Sequence, residues 1–138
     1  MTSSQEYIEK LRKSGLRPTK QRIKICEVLF NSDKTFHFTI NNLVKMIEVN
    51  TNQKISLATV YNTVHAFEKK GYLKEIAINS SQTYFDTNTT DHHHFFDEKH
   101  QELIDLNDED VHPIKIKKTI PGKKIKSVEL LVRVDADN

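Results

Sequence analysis

Cysteine is nearly absent: Cys26 stands alone among 138 residues. That excludes an internal disulfide framework and any zinc site built from cysteines. Cys26 lies in an apolar stretch with Ile25, Val28 and Leu29, where a small half-buried packing residue is the plain reading. Glycine and proline number three each, which removes the collagen-like and Gly/Pro-rich disordered classes. No apolar run approaches the ~20 residues of a membrane span, so no membrane partner is expected. The first six residues lack the basic and apolar regions of a signal peptide, and the expected compartment is the cytoplasm. A Gly-rich phosphate loop, a His-Glu-x-x-His helix and a nucleophile elbow are all missing from the sequence, so hydrolase chemistry and enzymatic activity in general are not expected.

Net charge is also small, at +2, too little to imply nucleic acid by itself. Its distribution says more. Residues 10–24 hold Lys10, Arg12, Lys13, Arg17, Lys20, Arg22 and Lys24 with no acid, whereas residues 86–110 are acidic and hold four of the seven histidines. The asymmetry suggests a nucleic-acid face at one end and a ligand site at the other. The length suffices for one ordinary domain or two small ones.

Hydrophobic periodicity predicts four helices and then strands. The first runs from Ser4, a candidate N-cap, to about Lys13 and ends at Gly15. Thr19 caps a second, with Ile23, Cys26, Leu29 and Phe30 as its apolar stripe, and Asn31 to Asp33 stop it. Thr39 caps a third, carrying Leu43, Met46 and Ile47. Ser56 caps a fourth that ends at Gly71. In this last helix Leu57, Val60, Val64 and Phe67 are the expected buried stripe, while Thr59, Tyr61, Asn62, Thr63 and His65 point elsewhere. Residues 72–78 and 82–86 flank a turn and predict a β-hairpin. Three further strands are expected at 93–96, 102–106 and 126–134, the last with Val128, Leu130, Val132 and Val134 on one face. Residues 115–126 are basic and poorly periodic, a solvated connection.

Helices followed by a hairpin is the order of a winged helix, whose last helix enters the major groove. The face beginning at Ser56 offers Thr59, Tyr61, Asn62 and Thr63 to base edges, and Arg17, Lys20 and Arg22 suit phosphates. The same order of elements occurs in protein-binding modules. In the acidic half, His92 and His94 are two apart and share one side of a strand, with His93 on the other. Imidazoles joined by a carboxylate, from among Asp86, Asp91, Asp97 and Asp105, suit a first-row metal ion; a haem site or a solvated polar cluster are the other readings.

Gly15-Leu16-Arg17-Pro18-Thr19 followed by Arg22, and Ile55-Ser56-Leu57-Ala58-Thr59-Val60-Tyr61-Asn62-Thr63 ahead of Gly71, resemble the ferric uptake regulator family, with the likeness spanning about residues 15–105. The resemblance implies an α+β fold: an N-terminal winged-helix DNA-binding domain over residues 1–87, then a small α/β dimerisation domain over residues 88–138 that also senses metal or haem. It implies that Tyr61 contacts bases with Asn62 beside it, that Arg17 approaches the minor groove, and that a homodimer reads an inverted repeat in double-stranded operator DNA. It also implies a regulatory metal set of His37, Asp86, His92, His94 and Asp105, for Fe, Mn or Zn.

Most of that family carries C-x-x-C after the histidines, where this sequence has Asp97 and His100, so no cysteine-coordinated structural zinc is expected. The run Asp91-His92-His93-His94-Phe95-Phe96 looks like the iron response regulator branch, and there the triple histidine (His92, His93, His94) implies haem binding. The Cys-Pro haem motif of some branch members has no counterpart, because Glu27 follows Cys26. The leading expectation is thus an iron- or haem-responsive transcription regulator; the alternative is a peroxide- or manganese-sensing regulator of the same family. His112 reads as an exposed residue.

Overall fold

The structure is a computed structural model that describes residues 4–137. The residues Met1, Thr2 and Ser3, part of the segment read for a signal peptide, lie outside the described residues. The chain divides into two compact units, Met1–Thr89 and Thr90–Asn138.

The first unit opens with α1 (Ser4–Lys13), α2 (Lys20–Phe30), a two-residue strand β1 (His37–Phe38), α3 (Ile40–Thr51) and α4 (Leu57–Lys70). Three of the helices begin as the sequence predicts. The side chains of Thr19, Thr39 and Ser56 accept from the backbone N–H of Arg22, Asn42 and Thr59, and each such cap contributes roughly 1 kcal/mol. Ser4 is already helical rather than a cap. Gly71 closes α4 at φ 90°, in the left-handed region that a Cβ disfavours, and the Tyr72 N–H reaches back to the Phe67 carbonyl.

The buried stripe of α4 differs from the expected one in two places. Leu57, in the first turn, is 54% exposed, whereas Thr63 is fully buried. Val60, Thr63, Val64 and Phe67 then follow the i, i+3, i+4, i+7 spacing of a core-facing helix. Thr63 is isosteric with valine, and its hydroxyl donates to the Thr59 carbonyl at 2.7 Å, so no polar atom is orphaned by burial. The stripe packs with Tyr7, Leu11, Ile25, Cys26, Leu29, Leu43 and Ile47 in one core. In α2 the fully buried residues are Ile25, Cys26 and Leu29, with Ile23 and Phe30 at the core's margin. Burial pushes the Cys26 thiol up to about 12.

The hairpin consists of β2 (Lys74–Asn79) and β3 (Gln82–Asp86), and it gains a third strand that periodicity missed. β1 pairs antiparallel with β3, giving the order β1-β3-β2. Two residues are too short to show an alternation. The ladder continues through Thr87, whose N–H donates to the Phe36 carbonyl and whose hydroxyl accepts from the Phe36 N–H.

The second unit holds β4 (His93–Asp97), β5 (Glu102–Leu106), a single 3-10 turn (Asp108–Asp110) and β6 (Leu131–Val134), with sheet order β5-β4-β6. The last strand is shorter than the expected 126–134. It pairs in parallel with β4 alone, and β4 has partners for it only from His94 to Asp97. Upstream of Leu131 the Leu130 carbonyl still accepts from the His94 N–H, but residues 120–127 are exposed and irregular. No helix is long and apolar enough to cross a membrane among the described residues.

Candidate nucleic-acid interface and metal centre

The exposed face of α4 presents Ala58, Tyr61 and Asn62. Leu57 joins them, which sequence periodicity had assigned to the core. Thr63 must be removed from the expected base-reading set, because its side chain is buried and its hydroxyl bonded within the helix. Ser56 spends an acceptor on the cap and Thr59 is half-buried, so these two stand at the rim of the face.

A cleft of about 460 Å³ joins the start of α4 to the start of α2, lined by Arg17, Thr19, Lys20, Gln21, Arg22 and Thr59. Arg17 and Lys20 are exposed. Arg22 is held from behind: Nη1 donates to the Arg17 carbonyl at 3.0 Å, while Nε is buried without a hydrogen-bond partner. Arg22 thereby fixes the loop that displays Arg17. Helix dipoles add to the effect, since α2 and α4 both open beside this cleft with positive N-terminal ends.

The wing sheet carries two of the expected metal ligands side by side. His37 and Asp86 are direct partners across β1 and β3, so their side chains leave the same face, while Phe38 and Phe85, the next pair, leave the other. Asp86 is fully buried, and its Oδ1 accepts the Asn88 N–H at 2.8 Å, which holds the carboxylate in one orientation.

In the second unit, His94 and Asp105 are direct partners across β4 and β5. The Nε2 atoms of His92 and His94 both lie 3.4 Å from the same Asp105 oxygen, and their rings stand 4.4 Å apart. His92 Nδ1 lies 2.7 Å from the Thr90 carbonyl, so Nδ1 bears the proton and the Nε2 lone pair faces the carboxylate in the neutral ring. A cation placed between that lone pair and the carboxylate would be attracted to both. A backbone carbonyl orienting the far nitrogen is also the usual support of a metal-bound imidazole. The donor set of nitrogens and one carboxylate fits a divalent first-row ion.

His93 turns the other way, and its contacts lend no support to the expected haem role. Its Nδ1 accepts the Leu130 N–H at 2.9 Å, its Nε2 lies 3.1 Å from Asp108 Oδ1, and the residue is 3% exposed. Both ring nitrogens are thus committed, leaving none for an axial bond to haem iron. Asp108 as the partner of His93 was not foreseen, since fifteen residues of chain separate them and only the 3-10 turn brings the acid back. His92 and His94 are buried against each other, an arrangement suited to a small ion rather than to a macrocycle edge.

Asp97 and His100, at the positions of the absent C-x-x-C, form an exposed pair. Nδ1 of His100 lies 2.8 Å from Asp97 Oδ2, and the His100 N–H donates to Oδ1. The hydrogen bond to His100 pulls the Asp97 carboxyl below the usual range, and the same bond raises the His100 imidazole. His112 is exposed, beside a cleft also lined by His93 and Asp108.

A winged helix with a basic cleft, followed by a unit that focuses imidazoles on one carboxylate, defines a ligand-responsive DNA-binding protein. The ferric uptake regulator family matches residues 13–133, and the chain belongs to it. Members of this family are transcription regulators, not enzymes; they bind DNA and act as dimers. The peroxide operon regulator of Bacillus subtilis is 34% identical over 102 residues, covering 74% of this chain and 68% of its own length. The peroxide-responsive repressor PerR of Staphylococcus epidermidis is 34% identical over 103 residues, 75% of this chain and 67% of that protein. The ferric uptake regulator of Pseudomonas aeruginosa, solved with manganese, shares the fold at a TM-score of 0.67 and 21% identity, covering 96% of this chain and 98% of its own.

Proposed function

We propose that this chain is a peroxide-responsive, metal-dependent transcription repressor that binds operator DNA as a homodimer. The observation that carries the reading is the convergence of His92 and His94 on Asp105, in a chain whose relatives are named for their response to peroxide. We assign His37, Asp86, His92, His94 and Asp105 to one ligand set. The pairing of His37 with Asp86 in the first unit, and of His94 with Asp105 in the second, supports it. Iron in such a nitrogen and oxygen shell supplies redox chemistry toward peroxide that zinc does not.

The residues of the chain do the rest. Thr90 and Asn88 orient one imidazole and one carboxylate before any ion arrives. A ligand set drawn from both units binds one arrangement of them better than others, and that difference in affinity is what couples the ion to DNA binding. Loss of one ligand by oxidation removes the coupling. Tyr61, Asn62, Arg17 and Lys20 face the operator, with Arg22 behind Arg17. Ile104, Ile114, Ile116, Ile120 and Ile125, all exposed in the single chain, supply apolar surface for the homodimer.

The test loads the purified chain with Fe(II) or Mn(II), adds peroxide, and follows both duplex binding and the masses of the His37 and His92 peptides. The iron form should release DNA and gain one oxygen atom on His37 or His92, while the manganese form keeps its DNA. Persistent DNA binding by the iron form with no added oxygen would overturn the reading. Release by haem, lost when His92, His93 and His94 are all changed to alanine, would favour the haem regulator instead.

A further inference from the structure

We propose that His65 is a positioning residue that sets the orientation of Tyr61 for base contact, acting as the middle ring of an aromatic ladder from the wing sheet to α4. The proposal rests on the DNA-binding reading above, and it adds a residue that does not itself touch the operator.

Tyr61 and His65 are four apart on α4 and so share a face. Their ring centroids are 4.2 Å apart, tilted by 49°. On its other side His65 meets the Phe85 ring edge-on, at 5.5 Å and 87°. Phe85 is buried and stacks on Phe38 at 5.9 Å and 27°. These two phenylalanines are register partners across β1 and β3, directly next to the pair His37 and Asp86. The ladder therefore begins on a rigid strand pair and ends on a ring that is 52% exposed.

An exposed tyrosine on a helix samples more than one rotamer, and ordering it on binding costs affinity. A ring packed at a tilt against it removes part of that cost beforehand. Open space flanks the pair on both sides. A cleft of about 600 Å³ includes Leu57, Tyr61, His65 and Gln82, and another of about 500 Å³ includes Tyr61, Asn62, His65 and Lys69. His65 is thus the inner support that Tyr61 meets along α4. An imidazole suits the place because its body packs against both rings while its polar edge tolerates water from those clefts.

The probe is a duplex enriched from a random-sequence pool by the wild-type chain with Mn(II). Aromatic pairs of this kind contribute enough that His65→Ala should weaken binding about 2- to 10-fold. His65→Phe should restore most of the affinity. In a Tyr61→Ala background, removing His65 should cost nothing further. The ring resonances of Tyr61 in the DNA-free chain should shift in His65→Ala. Should His65→Ala fail to fold, His65→Leu keeps the volume without the ring and is expected to show the same loss. Equal losses from His65 removal with and without Tyr61, or no rescue by phenylalanine, would overturn the proposal. If no duplex is enriched at all, the DNA-binding reading fails and this proposal with it, whereas enrichment followed by additive losses rejects His65 alone.

Discussion

The two units of this chain are stabilised by different chemistry. In the first, helices close over a continuous apolar core from Tyr7 to Phe85, and Asp86 and Thr63 are its buried polar residues. In the second, the buried residues among those described are Phe96, Leu103 and Leu106 together with His92, His93 and His94. Apolar burial is non-directional and needs no ligand. Buried imidazoles stabilise only when their nitrogens have partners, so a unit built on them answers to whatever supplies those partners. One unit is a scaffold in its own right, and the other is conditional on the partners its imidazoles find.

Truncation in the core should expose the contrast most strongly. Phe67→Ala should destabilise the first unit by about 3–5 kcal/mol, whereas Phe96→Ala, in a thinner core that collapses more readily, should cost under about 3 kcal/mol. Urea unfolding of the two variants measures this, and equal losses would break the comparison. Next comes Asp105→Asn. Because Asp105 faces both His92 and His94, divalent-metal affinity should fall by at least the 10- to 100-fold typical of losing even an outer partner, with α4 amide exchange unchanged. Isothermal titration and hydrogen exchange report the two halves of that statement.

Within the first unit, Thr63→Val should leave DNA affinity unaltered, while Tyr61→Ala weakens it by about tenfold, a difference that electrophoretic mobility shifts resolve. The Cys26 thiol, pushed up to about 12 by burial, should resist alkylation in the native chain at neutral pH and react once denatured; native labelling would contradict the core described here. The smallest effect belongs to the second unit's exposed pair. The lowered carboxyl of Asp97 contributes above its ordinary value of 3.8, and that contribution fades as pH falls through the lowered value. The raised imidazole of His100 contributes below its ordinary 6.5, and that contribution fades as pH rises through the raised value. The pair is therefore fully formed between those ordinary values, and His100→Ala should lower the melting temperature slightly near pH 5 and by less as pH rises through the raised value.

Much of this was legible in the residues. Thr19, Thr39, Ser56 and Gly71 mark helix ends through local chemistry, which needs no tertiary partner. The alternation His92, His93, His94 separated two faces, and those faces indeed lead to Asp105 and to Asp108. Illegible were β1, too short to alternate, the exchange of Leu57 for Thr63 in the core stripe, and the trimming of the last strand to Leu131–Val134. Each depends on a partner distant in sequence.

The sequence by itself therefore determined the order of elements, the exclusion of cysteine chemistry, and the residue types available for DNA and metal. Tertiary structure alone decided which of the three histidines keep a lone pair to offer. His93 surrenders both nitrogens to Leu130 and Asp108, whereas His92 is tied at Nδ1 to Thr90 and points Nε2 at the acid it shares with His94. The reason is physical: identical side chains side by side differ in chemistry only through the hydrogen bonds the fold gives them.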